Sequence, residues 1–116
     1  MNAAHYDIHP EVAAALAEDR AVVALESTIV THGMPYPDNA RMSESVEAII
    51  TRNGATPALI AVIDGRIKVG VSPAEREYLA KLKKARKLSR ADLAFAVSEK
   101  ISGGTTVAAT MIAAQA

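Results

Sequence analysis

The sequence contains no cysteine and no tryptophan, and only four of its 116 residues are aromatic. The absence of cysteine excludes disulfides, a thiolate nucleophile and a cysteine-based zinc site, and it favours a reducing, cytoplasmic location. With so few aromatic side chains, the core must consist of Ala, Val, Ile and Leu, which suits close packing of helices on a sheet. Apolar residues nevertheless make up 50% of the chain, which is enough for a single folded domain.

An excess of charge of one sign is also missing. Thirteen Lys and Arg residues balance thirteen Asp and Glu residues, which removes the electrostatic argument for binding nucleic acid or an acidic membrane surface. No apolar run approaches the ~18 residues that a membrane-spanning helix needs, and the first twenty residues lack the apolar region of a secretory signal. We therefore expect neither nucleic acid nor a membrane as a partner.

Two apolar runs of strand length indicate an α/β fold. Residues 21–25 form a continuous apolar run, which predicts a central parallel strand buried on both faces. Residues 56–63 form a second such run, and Asp64-Gly65 then predicts a two-residue hairpin turn into a third strand at 66–70.

Helical spacing and capping signals lie between and after these strands. Residues 72–75, Ser-Pro-Ala-Glu, have the pattern of a capping box, whereas Gly33, Pro35 and Pro37 predict an irregular loop over residues 27–38. Helices are expected at 10–17, 39–52, 73 to about 84, 89–100 and from 107 onward. Three strands are few for a sheet covered by helices on both faces, and the last helix has no stop signal. The pattern therefore predicts a layered α/β sheet that belongs to a larger α/β/α fold.

Two polar residues after the first strand are candidates for chemistry. Glu26 directly follows the strand, where ligands of open α/β sheets bind, so it is a candidate general acid; the alternative is an ordinary carboxylate that caps or pairs with a neighbour. His32 in the following loop is either a proton shuttle or phosphate donor, or a structural residue. No metal-binding motif is present in the sequence.

Two further segments suggest an anion site. The basic run of residues 81–87 is explained by a solvated helix end, but Lys87 lies just before a predicted helix N-terminus and is a candidate ligand contact. Residues 103–106, Gly-Gly-Thr-Thr, are predicted to form a turn that is either a phosphate cradle or a plain helix cap.

Four blocks of sequence, taken together and in order, resemble the pseudouridine-5'-phosphate glycosidase family, also called pseudouridylate synthase or indigoidine synthase A-like. The blocks are residues 23–35, 57–63 with 67–70, 87–93, and 103–112. The resemblance extends from about His9 to the end of the chain.

The resemblance implies an activity and site residues. The family cleaves the carbon–carbon glycosidic bond of pseudouridine 5'-phosphate reversibly, giving uracil and ribose 5-phosphate, with a divalent metal that is usually manganese. It implies that Glu26 is the proton donor, that Lys87 contacts the substrate and that Val107 contacts the substrate through its backbone. It also implies a homotrimer.

The sequence departs from the family in one respect that matters. The lysine that forms a Schiff base with the ribose, and the aspartate that binds the metal, lie in the family beyond the equivalent of Ala116. Residues 1–116 are therefore expected to be the N-terminal part of a single domain whose C-terminal part is absent. Smaller departures are Ala91 and Ala94, where an Arg and often a Pro are expected. We expect this chain to be inactive alone; the alternative is a noncatalytic remnant that binds a phosphosugar or mediates oligomerisation.

Overall fold

The computed structural model describes residues 3–116, which form a mixed sheet of six strands with helices packed against it. The strands are β1 (Tyr6–Ile8), β2 (Val22–Leu25), β3 (Thr56–Ile63), β4 (Arg66–Val69), β5 (Arg86–Leu88) and β6 (Gly103–Thr105). The helices are α1 (Pro10–Ala17), α2 (Asp38–Arg52), α3 (Pro73–Lys81), α4 (Leu93–Ser98) and α5 (Val107–Gln115). None of these helices has the length and apolar character to cross a membrane.

Strand β3 lies at the centre of the sheet. The strand order is β1-β4-β3-β6-β5, and β2 also pairs with β3. Successive β3 side chains point to opposite faces, so Ile60 and Val62 pack in one core cluster, whereas Leu59 and Ala61 pack in another. The first cluster includes residues of α4 and α5, and the second includes residues of α2 and α3. The α/β fold class is therefore confirmed.

Local signals in the sequence predicted several elements correctly. Helix α1 and strand β3 have the predicted bounds, and α2 begins one residue earlier than predicted. The Asp64-Gly65 turn has φ angles of 49° and 78°, as a two-residue hairpin of this type requires.

The capping box predicted at residues 72–75 is also confirmed. Ser72 accepts a hydrogen bond from the Glu75 amide while Glu75 accepts one from the Ser72 amide, and Ser89 and Asp92 form a second capping box. The predicted helix at 73 to about 84 ends at Lys81. The predicted helix 89–100 is a 3-10 turn at Arg90–Asp92 followed by α4, which begins at Leu93 and ends at Ser98.

The prediction for β2 is wrong in one respect. It pairs in parallel with β3 as expected, but within residues 3–116 it has no second neighbouring strand, and Val23 is 38% exposed. The strand is therefore an edge strand in the described part of the chain, rather than a central one buried on both faces.

Three strands were missed, and all three are only three residues long. Such short segments do not show a period of two. Residues 103–105 were predicted to be a turn, but their glycines form β6. In the predicted loop over residues 27–38, Ile29–Gly33 forms a π-helical turn.

Candidate active site

The candidate site lies where β2 and β6 meet along β3. Strand β2 pairs in parallel with Thr56–Leu59, and β6 pairs antiparallel with Ala61 and Val62. The two strands therefore run toward each other, and the Ser27 amide donates to the Thr105 carbonyl at 3.1 Å. The segments that carry Glu26 and Val107 leave the sheet at this junction.

Buried hydroxyl groups hold the junction together; we call Ser27, Thr105 and Thr110 the hydroxyl cluster. Thr105 Oγ1 lies 2.6 Å from the Ile60 carbonyl, 2.9 Å from Thr110 Oγ1 and 3.3 Å from Ser27 Oγ. A carbonyl oxygen only accepts, so the Thr105 hydroxyl donates to Ile60 and must accept from Ser27 and Thr110. Ser27 Oγ in turn accepts from the Thr105 amide at 2.7 Å. The hydrogen-bond donor and acceptor roles of each hydroxyl in the cluster are therefore fixed.

Glu26 is half-buried directly beside this junction. Its Oε2 accepts hydrogen bonds from the amide and the hydroxyl of Thr28, and its Oε1 accepts one from the Ile29 amide at 3.2 Å. The carboxylate therefore caps the π-helical turn, as the capping alternative predicted. Since Oε2 uses both of its lone pairs in these contacts, Oε1 is the oxygen with capacity for another partner.

A small cavity adjoins Glu26. It has a volume of about 230 Å³ and lies between β2, the π-helical turn, β3 and α2. Its other lining residues are mostly apolar: Leu25, Ile29, Val30, Met42, Ser43, Val46 and Leu59. The carboxyl group thus borders an apolar space, as well as the turn that it caps.

Lys87 lies in β5, not in a coil before a helix. It pairs in register with Gly104 of β6, which places it one strand away from the junction. Its side chain is exposed, and the described residues give its ammonium no hydrogen-bond or ion-pair partner. The structure therefore leaves Lys87 available to an anionic ligand on the edge strand.

Val107 is the first residue of α5, as predicted. The preceding Thr106 caps the helix by accepting from the Ala109 amide, and the Thr106 amide donates to the Leu88 carbonyl at 2.9 Å. The amides of a first helical turn have no partner within the helix, and Val107 is 63% exposed. Its N–H therefore belongs to an exposed helix N-terminus next to β5.

The two glycines of residues 103–106 lie in strand β6 rather than in an open turn. Gly103 and Gly104 are buried, and a Cβ at Gly103 would overlap the Arg86 carbonyl oxygen. A Cβ at Gly104 would overlap the Thr31 hydroxyl and lie 2.9 Å from the Ser27 carbonyl oxygen. The glycines allow close packing of β5, β6 and the π-helical turn, and Thr106 caps α5 as the helix-cap alternative predicted.

The imidazole ring of His32 forms hydrogen bonds within the protein. Its Nδ1 lies 2.7 Å from Thr31 Oγ1, and its Nε2 lies 3.1 Å from the Ala85 carbonyl oxygen. Both ring nitrogens are therefore engaged within the protein, although the side chain is exposed.

The donor groups do not fit a metal site. Within residues 3–116, no three His, Asp or Glu side chains lie close enough to hold a metal ion. Glu26 already accepts three hydrogen bonds from its own turn. The described residues therefore provide no ligand set for the divalent metal that the resemblance implies.

The sequence supplied Glu26, Lys87 and Val107 as candidates but did not indicate the hydroxyl cluster that connects the segments of Glu26 and Val107. Ser27 and Thr105 are 78 positions apart, and no local pattern relates them. The sequence shows only that Ser27 begins the predicted loop 27–38 and that Thr105 lies within the predicted turn 103–106.

Known proteins match almost the whole chain. A family model described as "Indigoidine synthase A like protein" matches residues 11–116. The pseudouridine-5'-phosphate glycosidase of Mesorhizobium japonicum is 67% identical over 94% of this chain and 36% of its own length. The protein of the same name from Deinococcus radiodurans is 55% identical over 92% of this chain and 34% of its own length.

Solved structures share the fold. A prealnumycin C-glycosynthase in complex with ribulose 5-phosphate has a TM-score of 0.83 and 34% identity, over 95% of this chain and 35% of that one. An indigoidine synthase A-like protein from Thermotoga maritima has a TM-score of 0.81 and 25% identity, over 94% and 35%. This chain therefore spans about a third of the length of the relatives that it matches. On the match over residues 11–116, it belongs to the indigoidine synthase A-like family.

Proposed function

We propose that residues 3–116 form part of the active site of a pseudouridine-5'-phosphate glycosidase, which reversibly cleaves the carbon–carbon glycosidic bond to give uracil and ribose 5-phosphate. The observation that carries the proposal is the junction of β2 and β6, where the segments of Glu26 and Val107 leave the sheet with Lys87 one strand away. A relative that carries this enzyme name is 67% identical to the chain over 109 residues.

Glu26 is proposed as the proton donor. When the carbon–carbon bond breaks, the departing uracil carbon must gain a proton, and a positioned carboxylic acid supplies it. Of the two carboxyl oxygens, Oε1 receives a single hydrogen bond, so it can carry the proton without breaking the two contacts of Oε2. The turn holds the carboxyl group in place while the proton moves.

Lys87 and Val107 are proposed to bind the sugar phosphate. The exposed Lys87 ammonium supplies a positive charge, and the N-terminus of α5 supplies backbone N–H groups, which together favour an anion. The structural neighbour in complex with ribulose 5-phosphate supports a phosphosugar as the ligand class.

The lysine that opens the ribose as a Schiff base, and the metal ligand, are proposed to lie outside the third of the relatives' length that this chain spans. We therefore expect the 116-residue chain to release no uracil from pseudouridine 5'-phosphate in the presence of manganese. Measurable uracil release would contradict this expectation and would require a catalytic lysine among the residues present.

Ligand binding tests the proposed pocket directly. We expect calorimetry to detect ribose 5-phosphate binding that Lys87→Ala weakens at least about tenfold, because a charge-assisted contact to phosphate is lost. Arg86→Ala is the matched control: it removes the same charge at the adjacent strand position, which points to the opposite face, and should leave binding unchanged.

The outcomes separate the two proposed roles. Binding without uracil release supports a retained pocket, and it is also what a phosphosugar-binding module would show. An absence of binding in the wild-type chain would favour a noncatalytic interaction module instead. Adding pseudouridine 5'-phosphate distinguishes further, since a pocket from the enzyme should bind the nucleotide as well as the free sugar phosphate.

An oligomeric state and a cellular location are also proposed. We propose a homotrimer, supported by the resemblance and by the free edge of β2 in the described chain. Light scattering of the purified chain tests this, and a monomer would contradict it. The lack of cysteine supports a reducing, cytoplasmic location.

A further inference from the structure

His32 links the turn that carries the Glu26 contacts to the segment that leads into β5. Its Nε2 lies 3.1 Å from the carbonyl oxygen of Ala85, which is 53 positions away and two residues before Lys87. Its Nδ1 lies 2.7 Å from Thr31 Oγ1. One side chain therefore contacts both parts of the candidate site.

The partners determine which ring nitrogen carries hydrogen. The Ala85 carbonyl can only accept, so Nε2 is protonated and donates. In a neutral ring Nδ1 then has a lone pair and accepts from the Thr31 hydroxyl. Thr31 Oγ1 also lies 3.4 Å from the carbonyl oxygen of Ser27, the residue after Glu26. The Thr31 hydroxyl has a single hydrogen, so when it donates to Nδ1 its approach to Ser27 is a packing contact rather than a hydrogen bond.

Strand β5 is anchored at its C-terminal end, where Leu88 is buried in a core cluster and accepts a hydrogen bond from the Thr106 amide. It has three residues and pairs only with β6 among the described strands. The turn packs tightly against β6, since Gly104 has no room for a Cβ beside Thr31 and Ser27. At the N-terminal end of β5, the His32–Ala85 hydrogen bond joins the turn to the chain that enters the strand.

We propose that His32 is a positioning residue that fixes β5, and with it Lys87, relative to the turn capped by Glu26. The effect of His32 on substrate binding rests on the proposed function, whereas its effect on the position of β5 does not. Because His32 is exposed, its hydrogen bonds compete with water, so its loss should displace β5 without unfolding the protein.

Amide hydrogen exchange tests this without any ligand. The Thr106 amide donates to Leu88 of β5 at 2.9 Å, so its exchange reports whether β5 stays in place. We expect His32→Leu to accelerate exchange at Thr106 and across Arg86–Leu88, with no change at Ile60 and Val62 of the central strand. His32→Gln, which keeps a donor near the position of Nε2, should restore most of the protection.

The control is His5→Leu, the same substitution at a histidine outside the site, which should leave exchange at Thr106 unchanged. Unaltered β5 exchange in His32→Leu, or acceleration spread equally over the whole sheet, would overturn the proposal. Nitrogen NMR of the neutral His32 ring gives a second test. We expect the tautomer with hydrogen on Nε2, and the tautomer with hydrogen on Nδ1 would contradict the hydrogen bond to Ala85.

Ribose 5-phosphate binding connects the two proposals. If the wild-type chain binds it, His32→Leu should weaken binding roughly three- to tenfold and His32→Gln should recover it. Unchanged binding in His32→Leu would contradict the link from His32 to Lys87. If the wild-type chain does not bind, the proposed pocket fails, and the exchange measurement alone decides whether His32 positions β5.

Discussion

Two polar clusters in this protein differ in burial and charge. The hydroxyl cluster is neutral and lies inside the protein, where Ser27 and Thr105 are fully buried. The second cluster, which we call the ion-pair cluster, consists of Asp7, Arg66, Lys68 and Glu75. Its Asp7 carboxylate lies 2.5 Å from Arg66 and 2.9 Å from Lys68, but the Asp7 side chain is 40% exposed.

The difference shows which polar contacts determine the position of the site. A buried hydroxyl that loses its partner cannot turn to water, so each member of the hydroxyl cluster depends on the others. A half-exposed ion pair regains hydration when it is broken, and its net stabilisation is small. The neutral cluster is therefore expected to contribute more to stability than the charged one, although its individual interactions are weaker in isolation.

The largest expected effect tests the centre of the hydroxyl cluster. Thr105→Val keeps the side-chain shape but leaves the Ile60 carbonyl and two hydroxyls without their partner. We expect the free energy of unfolding to fall by about 2–4 kcal/mol, measured by urea denaturation. Thr105→Ser keeps the hydroxyl and should lose only about 1 kcal/mol, for the removed methyl group. Equal losses in the two variants would show that packing, rather than hydrogen bonding, dominates here.

An intermediate effect is expected where the turn meets β6. Gly104→Ala introduces a methyl group against the Thr31 hydroxyl and the Ser27 carbonyl oxygen, so the turn must move away from the strand. We expect a loss of about 1–3 kcal/mol, as in other overpacked interiors, together with weaker ribose 5-phosphate binding. Gly54→Ala is a control without crowding, since nothing lies within 4 Å of its added Cβ, although its φ of 87° adds backbone strain. Full stability in Gly104→Ala would contradict the close packing described here.

The smallest effect is expected in the ion-pair cluster. Hydrogen bonds from Arg66, and then from Lys68, lower the pKa of Asp7 from 3.8 to about 2. A lowered folded-state pKa stabilises the protein above the unfolded-state value, and this stabilisation disappears as the pH falls from about 4 to 2. Because Asp7 is partly exposed, we expect Asp7→Asn to cost only about 0.5–1 kcal/mol at neutral pH.

Acid titration of stability checks the same prediction. The difference between wild type and Asp7→Asn, followed by urea denaturation, should shrink toward zero as the pH falls to 2. Glu18→Gln breaks a more exposed ion pair with Arg20 and is the control, with an expected change near zero at all pH values. A loss from Asp7→Asn larger than that from Thr105→Val would reverse the comparison between the two clusters.

The sequence predicted those parts of the fold that depend on neighbouring residues. The Asp64-Gly65 turn, the Ser72 capping box and the apolar run of β3 all have local causes, and all are present in the structure. Strands β5 and β6 were missed because three residues show no period and two of those in β6 are glycines. They become strands only because β3 and each other supply backbone partners.

For the candidate site, the sequence placed Glu26 after a strand and Val107 at the start of a helix, since strand ends and helix caps are local signals. The tertiary structure decided what surrounds them. The meeting of β2 with β6, the burial of the two glycines and the contact from His32 to Ala85 join residues that are far apart in the chain. Such contacts depend on how the strands are ordered in space, and no pattern of neighbouring residues encodes that order.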